Sequence, residues 1–383
     1  MTTNPSDITI PFNRSSLVGR ELEYIFRAMA IGQIAGDQSF SQRCHAFLEA
    51  QLNVKRALLT TSCTHALEMS ALLLRIQPGD EVIVPSFTFV TTANAFVLRG
   101  ARPVFCDIRS DTLNLDESRL SALVTPRTRV IVPVHYAGVA CEMDAILAIA
   151  ADNGIQVVED NAHGLFGTYR GKLLGTFGAL ATQSFHETKN FTCGEGGALL
   201  INDPALIERA EIVREKGTNR AKFFRGQVDK YTWVDLGSSY LMSDVLAAFL
   251  LAQLEQWQQI QVQRRHLWMT YHARLSDWCR TTGARQPIVP EHCGQSYHMY
   301  YLLAPTEAFR AGLIAHLRTA GILGVFHYVP LHLSPMGASF GARAGDCPVA
   351  EFASDRLLRL PLFFALSAPE QDRVIETITS FGV

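Results

Sequence analysis

From residue 56 to residue 201, short apolar runs recur, each bounded by Gly, Pro or Asp, and the segments between them keep helical spacing. That alternation predicts a mostly parallel sheet whose strands are joined by crossover helices. Strands are expected at 57–61, 81–84, 103–106, 130–134, 156–159, 181–185 and 197–201, with helices at 64–75, 93–99, 116–124 and 143–153. Beyond Ser243, Leu246, Phe249, Leu250, Leu254 and Trp257 continue the helical period, and neither Gly nor Pro intervenes before Trp278. One long connecting helix is expected there. A strand at 300–303, a helix near 309–320 and a final helix from 369 to 381 complete a smaller α/β unit. The pattern predicts an α/β chain with a large domain over 1–245, N-terminal arm included, and a long helix with a small domain over 246–383.

With 383 residues, 48% of them hydrophobic, the chain can bury a large core and exceeds the usual length of one domain. Its 34 basic and 36 acidic side chains leave a net charge of −2 and form no block of one sign. A general nucleic-acid or membrane-surface binder is therefore not expected. The eight cysteines are scattered, without a CxxC pair or a matching His spacing, which argues against a zinc site or a disulfide framework. The start, Met-Thr-Thr-Asn-Pro-Ser-Asp, is not a basic segment leading into an apolar run, and no stretch approaches eighteen apolar residues. A soluble, cytoplasmic protein is expected.

In open α/β sheets ligands bind beyond the carboxyl ends of the strands, so polar residues directly after apolar runs are the first candidates. Thr61-Ser62-Cys63-Thr64-His65 joins a strand to a helix, where backbone N–H groups and hydroxyls can converge on a phosphate. Ser62 or Thr64 could equally do no more than cap the helix. Val157-Val158-Glu159-Asp160 ends an apolar strand in two acids, and Asp160 could face a buried cation. Ser184-Phe185-His186-Glu187-Thr188-Lys189 follows another strand and precedes Gly194-Glu195-Gly196-Gly197; a lone lysine is usually just exposed. Pro85-Ser86-Phe87-Thr88-Phe89 sets an aromatic ring where it could lie against a flat heterocycle, although most phenylalanines are core. Together these supply an anion cradle, an aromatic face, an acid for a ring nitrogen and a lysine amine, the parts that a pyridoxal phosphate site requires.

These motifs, with Pro-Val-His-Tyr-Ala-Gly (133–138), Val-Glu-Asp-Asn-Ala-His (158–163) and Ser-Phe-His-Glu-Thr-Lys-Asn (184–190), resemble the fold-type I sugar-nucleotide aminotransferases of the DegT/DnrJ/EryC1/StrS family over nearly the whole chain. Within that family, residues 225–233, 237–243 and 325–332 are similar to the branch that makes dTDP-4-amino-4,6-dideoxygalactose. The resemblance implies the aspartate-aminotransferase-like fold and pyridoxal 5'-phosphate as cofactor. It gives Lys189 the role of Schiff-base lysine and Asp160 that of the acid paired with the pyridine nitrogen. Phe89 matches the ring stacked on the cofactor. Ser62, Cys63, Thr64 and Ser184 match the phosphate cradle, and His163 lies near the ring hydroxyl. His186 sits in the lysine motif, where it could act on the cofactor or only orient its neighbours.

Three positions depart from the wider family. Cys63 replaces a usual Gly, Ser239 a usual Asn that reaches the partner subunit's phosphate, and Leu241 a usual Arg. A related dehydratase group carries His in place of the lysine, and Lys189 excludes that chemistry. The resemblance implies a ping-pong transfer from L-glutamate to C4 of dTDP-4-dehydro-6-deoxy-D-glucose for surface polysaccharide such as enterobacterial common antigen, in a homodimer with sites at the interface. Arg220, Arg225, Lys230, His327, Tyr328 and His332 fall in the segments expected near the nucleotide-sugar cleft, where some could be plain surface residues. Two alternatives stand beside this: the same chemistry on another nucleotide-linked keto-sugar (3-keto, or giving a glucose-configured amine) or on a non-sugar ketone, and a cofactor-bound regulatory protein without turnover.

Overall fold

The structure is a computed structural model in which residues 8–382 are described. Seven strands form the main sheet: β1 (Arg56–Thr60), β2 (Glu81–Pro85), β3 (Arg102–Cys106), β4 (Thr128–Ile131), β5 (Gln156–Asp160), β6 (Leu180–Ser184) and β7 (Gly197–Ile201). Their order is β1-β7-β6-β5-β4-β2-β3. Only β7 runs against its neighbours; the other adjacent pairs are parallel. Because side chains alternate across a strand, the apolar runs sort into two faces. Leu58, Val82, Val130, Val158, Leu180 and Leu199 meet helices Cys63–Leu73 and Thr91–Val97 on one face. Toward the other, Ala57, Leu59, Ala181 and Leu200 meet helices Glu21–Ile31, Ser39–Leu52 and Asp244–Glu255, while Ile83, Ile131 and Val157 meet Met143–Asp152.

Each expected strand is present to within a residue or two, except that β4 stops at Ile131. Pro133 has no N–H for the ladder, and pairing resumes only as an isolated bridge between Val134 and Asp160. The long connecting helix is instead two helices, Asp244–Glu255 and Trp257–Thr282, separated at Gln256, whose backbone (φ −102, ψ 18) leaves the helical region. The first helix and Ile260 at the start of the second serve one core, and the rest of the second helix another. Ala247, Ala248, Leu250, Leu251 and Leu254 are buried under the main sheet, whereas Leu267, Trp268, Tyr271 and Leu275 pack with Leu313, Leu317, Leu358, Leu360, Val374 and Ile378.

The second core surrounds a two-stranded antiparallel sheet, β8 (Tyr300–Leu303) with β9 (Leu357–Leu360), and helices Glu307–Thr319 and Ala368–Thr379. Ile10 belongs to this core and bridges to Ile322. No helix among the described residues is long and apolar enough to cross a membrane.

Candidate active site

Polar residues gather where β1, β2, β5 and β6 end. After β1 the chain turns into helix Cys63–Leu73, and Ser62 Oγ accepts from the His65 N–H at 3.1 Å, so the capping role is real. This turn is pressed against β7: a Cβ on Gly197 would stand 2.3 Å from the Ser62 carbonyl carbon and 2.4 Å from the Cys63 nitrogen. Only glycine permits that approach. The helix N-terminus is thereby held at the sheet end, with Cys63 donating to Thr182 Oγ1 at 3.5 Å. Ser184, at the end of β6, accepts from the His186 N–H at 3.4 Å.

Asp160 is buried at the end of β5. Its Oδ2 accepts from Thr92 Oγ1 at 2.7 Å and its Oδ1 from the Ala162 N–H at 3.2 Å, while Thr88 and Thr92 share a further bond at 2.9 Å. Two donors hold the carboxylate in one orientation. Phe89 lies in the loop after β2, 55% exposed, its nearest aromatic neighbour being Tyr328 at 6.4 Å between centroids. Its uncovered face is available to a planar ring.

Lys189 makes no hydrogen bond or ion pair through Nζ among the described residues. Burial is the largest influence on its amine and lowers the pKa to about 8, with Arg359 acting in the same direction and Cys63 and Asp160 opposing. Burial also pushes the Cys63 thiol far up. That thiol is uncharged at neutral pH, which leaves the Asp160 carboxylate as the group that opposes the effect of burial on the lysine.

A group of aromatic side chains faces the same region. His163 stacks on His298 at 4.2 Å, and Tyr136 Oη bonds His327 Nδ1 at 2.7 Å. Desolvation pulls His163, His298 and His327 well below the ordinary imidazole range, so all three are neutral at pH 7. His163 Nδ1 is buried with no hydrogen-bond partner. An orphaned imidazole nitrogen, an uncovered aromatic face, a fixed carboxylate and a close-packed helix start fit pyridoxal phosphate, with Lys189 within the same cluster.

The sequence profile of the DegT/DnrJ/EryC1/StrS aminotransferase family matches residues 19–379. The chain belongs to this family. The aminotransferase is 32% identical over 380 residues to the spore coat polysaccharide biosynthesis protein SpsC of Bacillus subtilis (strain 168), covering 96% of each chain. Among solved structures it is similar to Spr1654 of Streptococcus pneumoniae, at 26% identity and a TM-score of 0.89 over 97% of each chain, a protein solved also in PLP and PMP forms. It is similar too to 3-amino-5-hydroxybenzoic acid synthase, at 29% identity and a TM-score of 0.85 over 96% of this chain and 98% of the other. It is thus a pyridoxal-phosphate-dependent sugar aminotransferase of fold-type I architecture.

The other expected positions of the aminotransferase divide into two groups. His327 and Tyr328 stack on each other at 3.5 Å beside His163, and Tyr328 holds a positive φ of 30°, an uncommon conformation for a bulky residue. His332 does not face the cleft. It is fully buried, its Nδ1 bonded to Ser86 Oγ at 2.6 Å and its Nε2 to Glu351 at 2.9 Å, so it ties the segment after β2 to the small domain. His186 turns toward Thr188 (3.0 Å) and Glu195 (3.6 Å), both in the loop that carries Lys189. Arg220 pairs with Glu215 and Arg225 with Glu211; Lys230 and Ser239 are exposed on the same stretch, where Ser239 bridges to Glu215 through its backbone. None of these four touches Lys189 or Asp160 within the described chain.

Sequence reading missed Thr92, Tyr136 as a cluster member, His298 and Arg359. Thr92 carries no signal in a helix beginning Thr-Thr-Ala-Asn. Arg359 does: it is a single charge inside Leu357-Leu358-Arg359-Leu360, where alternation turns it away from the face of Leu358 and Leu360.

Proposed function

We propose that the enzyme moves an amino group from L-glutamate to C4 of dTDP-4-dehydro-6-deoxy-D-glucose, giving dTDP-4-amino-4,6-dideoxy-D-galactose for surface polysaccharide. The observation that carries the transamination is the meeting of a lysine of lowered pKa with a carboxylate fixed by Thr92 and Ala162. The acceptor rests on the likeness of residues 225–233, 237–243 and 325–332 to the dideoxygalactose branch. SpsC, named for spore coat polysaccharide biosynthesis, and Spr1654, described as a sugar aminotransferase, support a sugar acceptor. A second reading, a non-sugar ketone, draws support from the likeness to 3-amino-5-hydroxybenzoic acid synthase.

In this reading the start of helix Cys63–Leu73, with Ser62, Thr64 and Ser184, would hold the cofactor phosphate, Phe89 would offer its ring an aromatic face, and His163 Nδ1 would be the polar atom for its hydroxyl. Bound pyridoxal phosphate supplies an electron-withdrawing ring that stabilises the charge left when the donor's Cα proton departs. Asp160 keeps a proton on the ring nitrogen. With the cofactor in place, Lys189 Nζ would take the donor's Cα proton and hold it for return; a pKa near 8 leaves an appreciable neutral fraction for that task. For the acceptor the same Nζ would supply the proton in the opposite direction.

A homodimer completes the proposal. Leu22, Phe26 and Met29 project from one side of helix Glu21–Ile31, and Trp233, Val234 and Leu236 are exposed on the stretch that carries Ser239. Apolar surface of this extent is suited to burial against another protein surface, which would bring Ser239, Arg220, Arg225 and Lys230 to the neighbouring subunit's site. The acceptor is tested by incubating holoenzyme with glutamate and a panel of nucleotide keto-sugars and assigning product stereochemistry by NMR. The dTDP-4-keto sugar should yield the galactose-configured amine; turnover of only another ketone would transfer the proposal to the second reading.

A further inference from the structure

Gln295-Ser296-Tyr297-His298 leads into β8 and is gripped from two sides. Tyr297 holds a positive φ of 55° and packs against the small-domain core, while its neighbours Ser296 and His298 contact the main-sheet unit. From helix Trp257–Thr282, buried Arg264 donates to the Tyr297 and His298 carbonyls. From the main-sheet unit, the Gly138 carbonyl accepts from the Ser296 N–H at 3.0 Å and the His163 carbonyl accepts from Ser296 Oγ. Asn190, the residue after Lys189, closes the grip: its Nδ2 donates to the Ser296 carbonyl at 2.7 Å, and its Oδ1 lies 3.0 Å from His298 Nδ1. The Ser296 carbonyl can only accept, which sets the orientation of the Asn190 amide. An amide oxygen can also only accept, which puts the proton on His298 Nδ1. Desolvation is the largest influence keeping His298 neutral, with His163, Lys189, Arg264 and Arg359 acting in the same direction. The ring so fixed lies against His163, with centroids 4.2 Å and planes 22° apart.

We propose that His298 is a positioning residue for transamination: clamped by Asn190, its ring is the wall that holds His163 in register with Lys189. The inference rests on the transaminase reading of the Lys189 site. The His163 ring makes no hydrogen bond among the described residues, so packing alone orients it, and His298 is its nearest aromatic neighbour. Asn190 shares a peptide bond with Lys189, so the place of the lysine loop is passed to His298 and, through the stack, to His163. The amine that bonds the cofactor and the imidazole beside its ring hydroxyl are thereby set by one side-chain bridge and not by two independent loops. The choice of an amide at position 190 fits this task. It orients the imidazole without drawing a second proton onto it, as a carboxylate would. Two imidazoliums stacked at this distance would repel each other and loosen the wall.

The test separates the two parts of the bridge. His298→Phe keeps the wall and removes the donor to Asn190, His298→Asn keeps a donor at the place of Nδ1 and removes the ring, and His298→Ala removes both. In the pyridoxal-phosphate-loaded protein, L-glutamate should bleach the lysine–cofactor absorbance band. The saturating rate of bleaching should fall by about tenfold in His298→Ala, the rate equivalent of one lost hydrogen bond. Each of the other two variants should recover part of it, with the half-saturating glutamate concentration little changed. Equal saturating rates in His298→Ala and the wild type, or a loss confined to thermal stability, would overturn the proposal. In the unaltered protein, long-range proton–nitrogen NMR of labelled histidines should find His298 neutral and protonated on Nδ1 between pH 6 and 8. Asn190→Asp should raise its pKa, because a carboxylate at that place favours the imidazolium. A proton on Nε2, or a pKa that Asn190→Asp leaves unmoved, would overturn the bridge whether or not the His298 variants fold. If glutamate leaves the wild-type band untouched, the transaminase reading itself fails, while the NMR result still judges the bridge.

Discussion

Uptake of pyridoxal phosphate by the cofactor-free protein reads the state of Lys189, because only a neutral amine attacks an aldehyde. An ordinary lysine with a pKa near 10.5 is about 0.03% neutral at pH 7. With the pKa lowered to about 8 by burial, the neutral fraction at pH 7 is about 9%, an advantage of about 300-fold. The sign follows directly: the rate of uptake should climb about tenfold from pH 6 to 7 and flatten near pH 8 to 9 instead of rising past 10. Stopped-flow absorbance on mixing the two would follow it. Asp160→Asn sharpens the test, since the carboxylate raises the lysine pKa and its loss should shift the midpoint to lower pH. The same variant keeps an acceptor for Thr92 yet should slow the glutamate half-reaction by about 10²- to 10³-fold, the range for losing one fixed electrostatic group. A midpoint near 10.5 in the wild type, or an upward move in the variant, would refute the assignment of burial and Asp160 as the groups that set this amine.

Three further outcomes are expected. Thr92→Val leaves Asp160 Oδ2 without its 2.7 Å donor, and kcat/KM should fall by about tenfold for the loss of a hydrogen bond worth about 1.5 kcal/mol, measured by steady-state transamination. Gly197→Ala drives a methyl against the Ser62 and Cys63 backbone; thermal denaturation should show a loss of about 1–3 kcal/mol, with weaker cofactor binding. Phe26→Glu puts a charge into the exposed apolar side of helix Glu21–Ile31, and sedimentation velocity should show the assembly shifted toward monomer.

The main sheet was legible because its strands are short, apolar and punctuated, and because the chemistry sits in the turns after them. Ser62, Asp160, Ser184 and Lys189 all follow that rule. The break at Gln256 was not legible, since no local breaker such as Gly or Pro marks it. His332 shows a related limit: a histidine in a motif can point into the cleft, as His327 does, or turn back to bond Ser86 and Glu351, and only packing decides. Arg359 was written plainly as a charge inside an apolar strand, but its place beside Lys189 depends on how the small domain folds over the sheet ends.

The most direct test of the account is borohydride reduction of the purified, pyridoxal-phosphate-loaded enzyme followed by peptide mass spectrometry. The reduced cofactor should be found on Lys189, and prior incubation with L-glutamate should abolish the label. Label on another lysine, or a protein that takes up no pyridoxal phosphate, would contradict the assignment of Lys189 as the residue that holds the cofactor.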